Sequence, residues 1–349
     1  MYRGNRMGRF FSNYRVEFSM SNRFFIFLGL VLAVNCSPRV CCETVTLDRF
    51  EMFTQRTPLR EVYRVPSDSV LAVTVRKGVI CSFFQKQQNR YALVLSDFTG
   101  HEIASLVEYG SQPQQVLIAK SSYGSGKFLL HDPITKKIVV TDIADAQSLP
   151  GYVPQVYHTD ILSQEVIPMD DRLLFLNPNS FQEMGPRVLI SDRRWNTPAS
   201  GSQKASAFSA TIGSLLYNSS GKSIVYFSQD EPIIEFFDKA CRLTRQIEFP
   251  HERGTVMMVP HDGIVEYAYQ GIAPKCFISA DGNEDYMAAV FRTDEGKSFV
   301  LVFDWEGTIL DGFEATATVK TISLAKTSVY CWENEGEQSC LREYPFFIH

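Results

Sequence analysis

The chain has 349 residues, of which 45% are hydrophobic and 21% charged, enough apolar material for a large core and too little charge for a disordered chain. The formal net charge is −5, but within residues 1–35 Arg3, Arg6, Arg9, Arg15 and Arg23 face only Glu17, so residues 36–349 carry −9. An acidic body without a basic stripe argues against nucleic acid as a partner.

At the amino terminus, Arg23 precedes an uncharged run from Phe24 to Val34 that ends in small residues before Cys36. This is the pattern of a signal-peptide core; a bilayer-spanning helix needs about 20 apolar residues, so the run is too short for a permanent anchor. Residues 1–35 are expected to be a signal peptide, with Met20 as an alternative start because Met20 to Arg23 supplies a compact positive end. Cys36 follows Ala33-Val34-Asn35 and resembles a bacterial lipobox, which implies lipid on Cys36 and a membrane partner through that lipid. Cleavage nearby with loss of Cys36 is the alternative. In either case the protein is expected to be exported, to the periplasm or the outer membrane, with residues 36–42 as a tether.

The other cysteines are Cys41, Cys42, Cys81, Cys241, Cys276, Cys331 and Cys340. Their spacings form no paired zinc knuckle and no small disulfide framework, and no metal or cofactor is expected.

Through the body an apolar run ends in Asp and then turns: Ala92 to Asp97, Ile138 to Asp142, Val188 to Asp192, Ile234 to Asp238 and Val300 to Asp304, with a weaker copy from Val329 to Glu333. The acid can accept hydrogen bonds from the turn, and Gly100 or Gly307 can take the positive φ that closes it. The steps between successive acids are 45, 50, 46, 66 and 29 residues, the size of one four-stranded propeller blade. The long step implies an insertion around Gly271 to Gly282. The short one implies that the last blade borrows a strand, for which Glu43 to Phe53 is the expected donor. No helical period of 3.6 is apparent in the mature chain. The expectation is therefore an all-β protein, a six-bladed β-propeller of four-stranded antiparallel blades over residues 43–349, its ring closed by an N-terminal strand.

Here the residues resemble the TolB-like six-bladed propellers common among exported proteins of the Bacteroides group. The resemblance rests on Asp68-Ser69-Val70, the Asp-x-x-Gly turns, the Phe303 to Gly307 segment and Gly110-Ser111-Gln112-Pro113-Gln114-Gln115. In the family the last of these reads Gly-x-Gly-Pro-x-Glu, so Gln112 and Gln115 are departures. The resemblance implies a fold and an exported location, and it implies no chemistry.

Candidate constellations read mostly as turns. His261-Asp262 sits in a Pro-His-Asp-Gly turn, Tyr123 to Lys127 lacks the first glycine of a phosphate loop, and Asp170-Asp171 points to opposite faces of a strand. Asn218-Ser219-Ser220 matches a glycosylation acceptor, and Asp281, Glu284 and Asp285 are either a calcium loop or a solvated one. No catalytic residue is assigned. The loops expected to join one blade's outer strand to the next blade's inner strand are Tyr109 to Gln115, Leu149 to His158 and Phe249 to Thr255. They offer Tyr109, Gln112, Tyr152, Tyr157, His158, His251 and Arg253 as ligand-binding candidates, suited to a polar small molecule, a glycan or a protein.

The functional expectation is an exported, lipid-anchored propeller that binds a ligand or partner without catalysis. Two alternatives are a metal-dependent lactonase-type hydrolase or lyase in the channel, and a structural subunit of a cell-envelope complex. For Cys331 and Cys340 two turn rules disagree. A tight turn through Glu335-Gly336 sets the two opposite one another, within disulfide reach, whereas a bulged turn at Gly336 sets Cys331 opposite Ser339.

Overall fold

The computed structural model describes residues 41–46, 48–66, 70–84, 89–117, 120–124, 127–161, 163, 165–177, 187–194, 196, 212–250, 256–261, 264–269 and 275–348. The expected signal peptide, Met20, Cys36, His251 and Arg253 lie outside the described residues.

The first described elements are β1 (Cys41–Thr44), the short helix α1 (Asp48–Glu51) and β2 (Arg60–Pro66). Blade I follows as β3 (Val70–Arg76), β4 (Val79–Phe84), β5 (Tyr91–Ser96) and β6 (Glu102–Glu108). Blade II comprises β7 (Lys120–Gly124), β8 (Lys127–Asp132), β9 (Lys137–Asp142) and β10 (Gln155–His158), with helix α2 (Ile143–Ser148) between its last two strands. The described residues supply three strands of blade III, β11 (Val166–Met169), β12 (Arg172–Leu176) and β13 (Val188–Ile190). Blade IV is β14 (Gly213–Asn218), β15 (Ser223–Ser228), β16 (Ile233–Phe237) and β17 (Leu243–Glu248). A separate hairpin, β18 (Val256–His261) with β19 (Ile264–Tyr269), precedes blade V, which is β20 (Phe277–Gly282), β21 (Met287–Arg292), β22 (Ser298–Phe303) and β23 (Ile309–Glu314). Blade VI is β24 (Thr318–Leu324), β25 (Ser328–Glu335) and β26 (Gln338–Pro345), completed by β2.

The protein is thus an all-β six-bladed propeller. Its core is six clusters, one at every blade interface, including VI against I, where Trp332 and Leu341 meet Val73 and Ile80. Period-two alternation feeds both interfaces of a blade: Met287, Ala289 and Phe291 face blade IV, while Ala288 and Val290 face blade VI. Burial on both faces is why such strands read as continuous apolar runs.

The ring closes through β2 rather than through Glu43 to Phe53. Arg60 to Pro66 pairs antiparallel with β26, with Arg60 opposite Glu343 and joined to it by a 2.8 Å ion pair. In the segment expected to close the ring, β1 instead adds parallel to β17 at the edge of blade IV. The Phe50 and Phe53 spacing belongs to helix α1 and the turn after it, where residues three apart share a side. Both rings pack at the IV–V interface, Phe50 at 5.1 Å from Phe299 between centroids.

The insertion also moves. It is the β18–β19 hairpin, and Phe277 to Gly282 is the inner strand of blade V. The weaker sixth repeat, Val329 to Glu333, falls on the second strand of its blade, whereas the other five end third strands, which accounts for the short last step.

The Asp turns form as expected. Asp97, Asp192 and Asp238 each accept two backbone N–H bonds at Oδ1, from the residues two and four positions on, at 2.8–3.0 Å, and Asp304 accepts from Thr308 at 2.7 Å. The residue three positions on has positive φ: Gly100 at 82°, Gly307 at 87° and, in place of glycine, Cys241 at 59°. Asp142 differs, since it caps α2 by accepting from the N–H groups of Ala144 and Asp145.

At the last hairpin Glu335 pairs with Gln338 and Glu333 with Cys340, so Cys331 faces Arg342. Neither expected turn forms, and both cysteines are free thiols.

Candidate functional site

Six inner strands, β3, β7, β11, β14, β20 and β24, surround the central channel, and each presents a sheet edge to its neighbour. An uncovered edge carries unpaired N–H and C=O groups. Small hydroxyls satisfy several of them here. Thr321 donates to the carbonyl of Val73 at 2.8 Å, Ser323 accepts from the N–H of Val75 at 2.9 Å, and Ser122 donates to the carbonyl of Val166. This need explains why β7 reads Lys120-Ser121-Ser122-Tyr123-Gly124 while the middle strands of the blades are apolar.

At the end where the inner strands begin, the channel opens as a cavity of about 320 Å³. Its apolar wall includes Leu71, Phe84 and Ile278, and its polar groups include Lys120, Glu165 and Gln229. Tyr109 lies on this wall with its hydroxyl donating to the carbonyl of Phe84 at 2.7 Å. Burial pushes the Glu165 carboxyl up to about 8, against the pull of Lys120 and of a hydrogen bond from the Leu215 N–H. Burial likewise pulls the Lys120 ammonium below its usual range, and Glu165 opposes that shift. Near neutral pH Glu165 is therefore mostly the neutral acid.

Deeper in, a further volume of about 150 Å³ runs from Glu165 to Arg76 and Asp281. Arg76, at the end of β3, grips Asp281, at the end of β20, through two contacts of 2.6 Å. Asp281 also accepts the N–H of Leu324 at 2.6 Å, and the guanidinium lies 4.2 Å from the ring centroid of Tyr123. Burial opposes the charge on Arg76, but Asp281 outweighs it and holds the guanidinium pKa above its usual value. Blades I, II, V and VI are tied together at this level. Asp281 thus sits in a buried ion pair, while Glu284 and Asp285 remain on the loop that follows.

Beyond the ion pair, a cavity of about 370 Å³ opens at the other end, with Lys77, Tyr217, Asn218, Glu284 and Trp305 on its wall. Trp305 donates from Nε1 to the carbonyl of Asn283 at 3.1 Å and lies on Gly282, where a Cβ would come within 3.1 Å of the indole. Asn218 is buried and accepts from the N–H groups of Ser220 and Gly221 at 2.9 and 3.0 Å, so the glycosylation-like triplet is a turn whose amide is engaged.

Of the ligand-binding candidates, the structure brings Tyr109 to the first mouth. Gln112 belongs to a loop held by Lys137, whose ammonium donates to the carbonyls of Gln112 and Gln115 at 3.0 and 2.5 Å. In that loop the Gln115 side chain covers Gly110, where a Cβ would meet Oε1 at 1.9 Å, so Gln115 fills a packing role there. Leu149 to His158 is not an outer-to-inner connection. It carries the return from α2 and strand β10, with Tyr152 accepting the Asp142 N–H at 2.8 Å and Tyr157 and His158 on the outer strand. The true connection of blade II to blade III is residues 159–165, and it ends in Glu165. Lys120, Glu165 and Arg76 were not identified from sequence, and Asp281 was singled out only with Glu284 and Asp285 as a calcium or solvated loop. The available signal was the hydrophilic run Lys120 to Tyr123, too polar for a strand in the middle of a blade.

Among the described residues no three His, Cys, Asp or Glu side chains come together as a metal would require. No family model matches the chain, and no curated protein matches it in sequence. Among solved structures, the fold is similar to that of a protein from Bacteroides fragilis inferred to be exported, at 8% identity and a TM-score of 0.51, over 89% of this chain and 99% of that one. It is similar also to a member of the DUF4221 family from Bacteroides vulgatus, at 10% identity and a TM-score of 0.51, over 85% of this chain and 99% of that one. The resemblance to exported Bacteroides propellers stands at the level of the fold.

Proposed function

We propose that the protein is an exported binding propeller, lipid-anchored through Cys36 at the periplasmic or outer-membrane surface, that holds a polar-headed organic ligand in the channel mouth formed by Leu71, Phe84, Tyr109, Lys120 and Glu165. The carrying observation is the shape and chemistry of that mouth. A cavity of about 320 Å³ at the mouth of the channel pairs an apolar wall with a few polar groups, the composition of a small-molecule site. The apolar run before Cys36 supports export, and the Bacteroides fragilis protein of the same fold is in keeping with it. The acidic body supports a reading without nucleic acid.

Two experiments test this. Palmitate labelling marks the wild type and is lost in Cys36→Ala; label on neither leaves secretion without an anchor. Ligand-observed NMR with a library of small polar organics gives binders that Leu71→Trp displaces, because Leu71 is exposed at the rim and the larger ring fills the cup. A library without a single binder sensitive to Leu71→Trp sinks the binding reading.

A further inference from the structure

We propose that the cup recognises the carboxylate of an organic monoacid, its head held between the Lys120 ammonium and the Glu165 carboxyl and its apolar body laid along Leu71, Phe84 and Ile278. The inference rests on the binding reading above and adds the ligand's chemical class. Lys120 and Glu165 share one cavity and lie near enough for each to shift the other's titration. No ion pair of 4.0 Å or less joins Lys120 to Glu165 among the described residues, and the Glu165 carboxyl, which accepts the Leu215 N–H, still has an O–H to donate to a third group when it is protonated.

The charge inventory of the cup decides which group that is. Arg76 and Asp281, deeper in the channel, neutralise one another. Tyr109 is a phenol already donating to Phe84. Glu165 is mostly neutral near pH 7, which leaves the Lys120 ammonium without a compensating carboxylate in the cavity. A carboxylate supplies the missing charge, and its two oxygens accept from the ammonium and from the acid's O–H, both charge-assisted bonds. An amine or an amino acid would need Glu165 ionised, which burial opposes.

The test uses the folded mature chain titrated with benzoate or hexanoate, followed by NMR shifts, with benzyl alcohol and benzylamine as controls. Benzoate and hexanoate bind, and each binds more tightly than the controls. Lys120→Gln weakens benzoate about tenfold or more, the size expected for loss of a hydrogen bond to a charged group. Glu165→Gln keeps an N–H donor, so benzoate affinity near neutral pH stays within a few-fold of wild type. In the wild type that affinity falls between about pH 7 and about pH 9 as Glu165 ionises, and the variant loses this fall. Preferential binding of benzylamine, or loss of benzoate binding in a folded Glu165→Gln, overturns the assignment. If benzyl alcohol binds as well as benzoate and Leu71→Trp abolishes both, the cup binds ligands but the head-group assignment fails. If no probe binds, both readings fail.

Discussion

Arg76 and Asp281 meet at 2.6 Å through both terminal guanidinium nitrogens and both carboxylate oxygens, from strands two blades apart around the ring. The pair crosses in front of β24 and takes the Leu324 N–H with it, so a single side-chain contact holds three inner strands at one level. Removal of one partner from a buried pair leaves the other charge uncompensated, at a cost of about 3–5 kcal/mol. Asp281→Asn and Arg76→Met should each destabilise by that order. The double variant Arg76→Met with Asp281→Leu should recover much of the loss and retain about 1–3 kcal/mol for the orphaned Leu324 N–H. Urea titration of the three variants checks this; single variants within about 1 kcal/mol of wild type would show that the pair is solvated and carries little.

Gly100 and Gly307 hold the same turn position with nearly the same backbone, φ of 82° and 87°, yet differ in surroundings. A Cβ on Gly100 comes no closer than 3.9 Å to Tyr63, whereas on Gly307 it would lie 2.5 Å from Phe236 and 2.7 Å from Ile247, both of the neighbouring blade IV. Gly100→Ala should therefore cost only the left-handed backbone penalty, about 1–2 kcal/mol. Gly307→Ala should cost about 1–3 kcal/mol more through overpacking at the blade interface. Equal costs in thermal unfolding would falsify the idea that this turn is also an inter-blade contact.

The blade repeat was legible because its signal is local: an Asp that accepts from its own turn, and a glycine where φ is positive. Tertiary pairing was less so. Arg60-Glu61-Val62-Tyr63-Arg64-Val65-Pro66 closes the ring but carries three charged residues, because an outermost strand has a solvent edge, and it therefore reads as a linker. Phe50 and Phe53 drew attention instead, since spacing alone does not separate a strand from one turn of helix. Among the site residues, Tyr109 was reached through its loop. Glu165 and Lys120 were missed because each is a lone charge in sequence, and only the radial arrangement of blades II and III brings them into one cavity.

Cys331 and Cys340 lie on neighbouring strands two positions out of register, with Cys331 opposite Arg342 and Cys340 opposite Glu333. Diagonal neighbours of this kind sit about 7–8 Å apart, beyond the usual disulfide range. Burial also pushes the Cys331 thiol well above its usual pKa and the Cys340 thiol up to about 11, which suppresses the thiolate that oxidises. Non-reducing peptide maps should contain both residues as thiols even after export. Native alkylation should leave Cys81, Cys276 and Cys331 unmodified, since each is fully buried, and label them only on unfolding. A crosslinked peptide joining Cys331 to Cys340 would require the last hairpin to slip its register.

Two buried titrating groups give stability opposite pH slopes. Glu165 has a folded pKa raised from 4.5 to about 8, so the folded protein holds a proton that the unfolded chain releases between those values. Its contribution is complete at low pH and is lost as pH rises through that window, by at most about 5 kcal/mol, an upper bound because the channel admits water. His131 is the reverse. Its Nε2 lies 3.0 Å from the carbonyl of Ile161 while Nδ1 has no partner among the described residues, and burial pulls its pKa from 6.5 to about 4. The unfolded chain takes up that proton first, so stability falls as pH drops from about 6.5 to about 4, by about 3 kcal/mol at most. Between about pH 4.5 and about pH 6.5 the two slopes oppose one another, and above that range only the Glu165 loss remains. Denaturant midpoints for the wild type should therefore decline from about pH 6.5 to about pH 8, and Glu165→Gln should flatten that decline and let stability rise with pH between about pH 4.5 and about pH 6.5, where the His131 slope is then unopposed. His131→Gln should leave the decline above about pH 6.5 unchanged and extend it down to about pH 4.5. A wild-type midpoint that rises toward pH 8 would mean that Glu165 is ionised in the folded channel, and the proton-bearing cup would have to be abandoned.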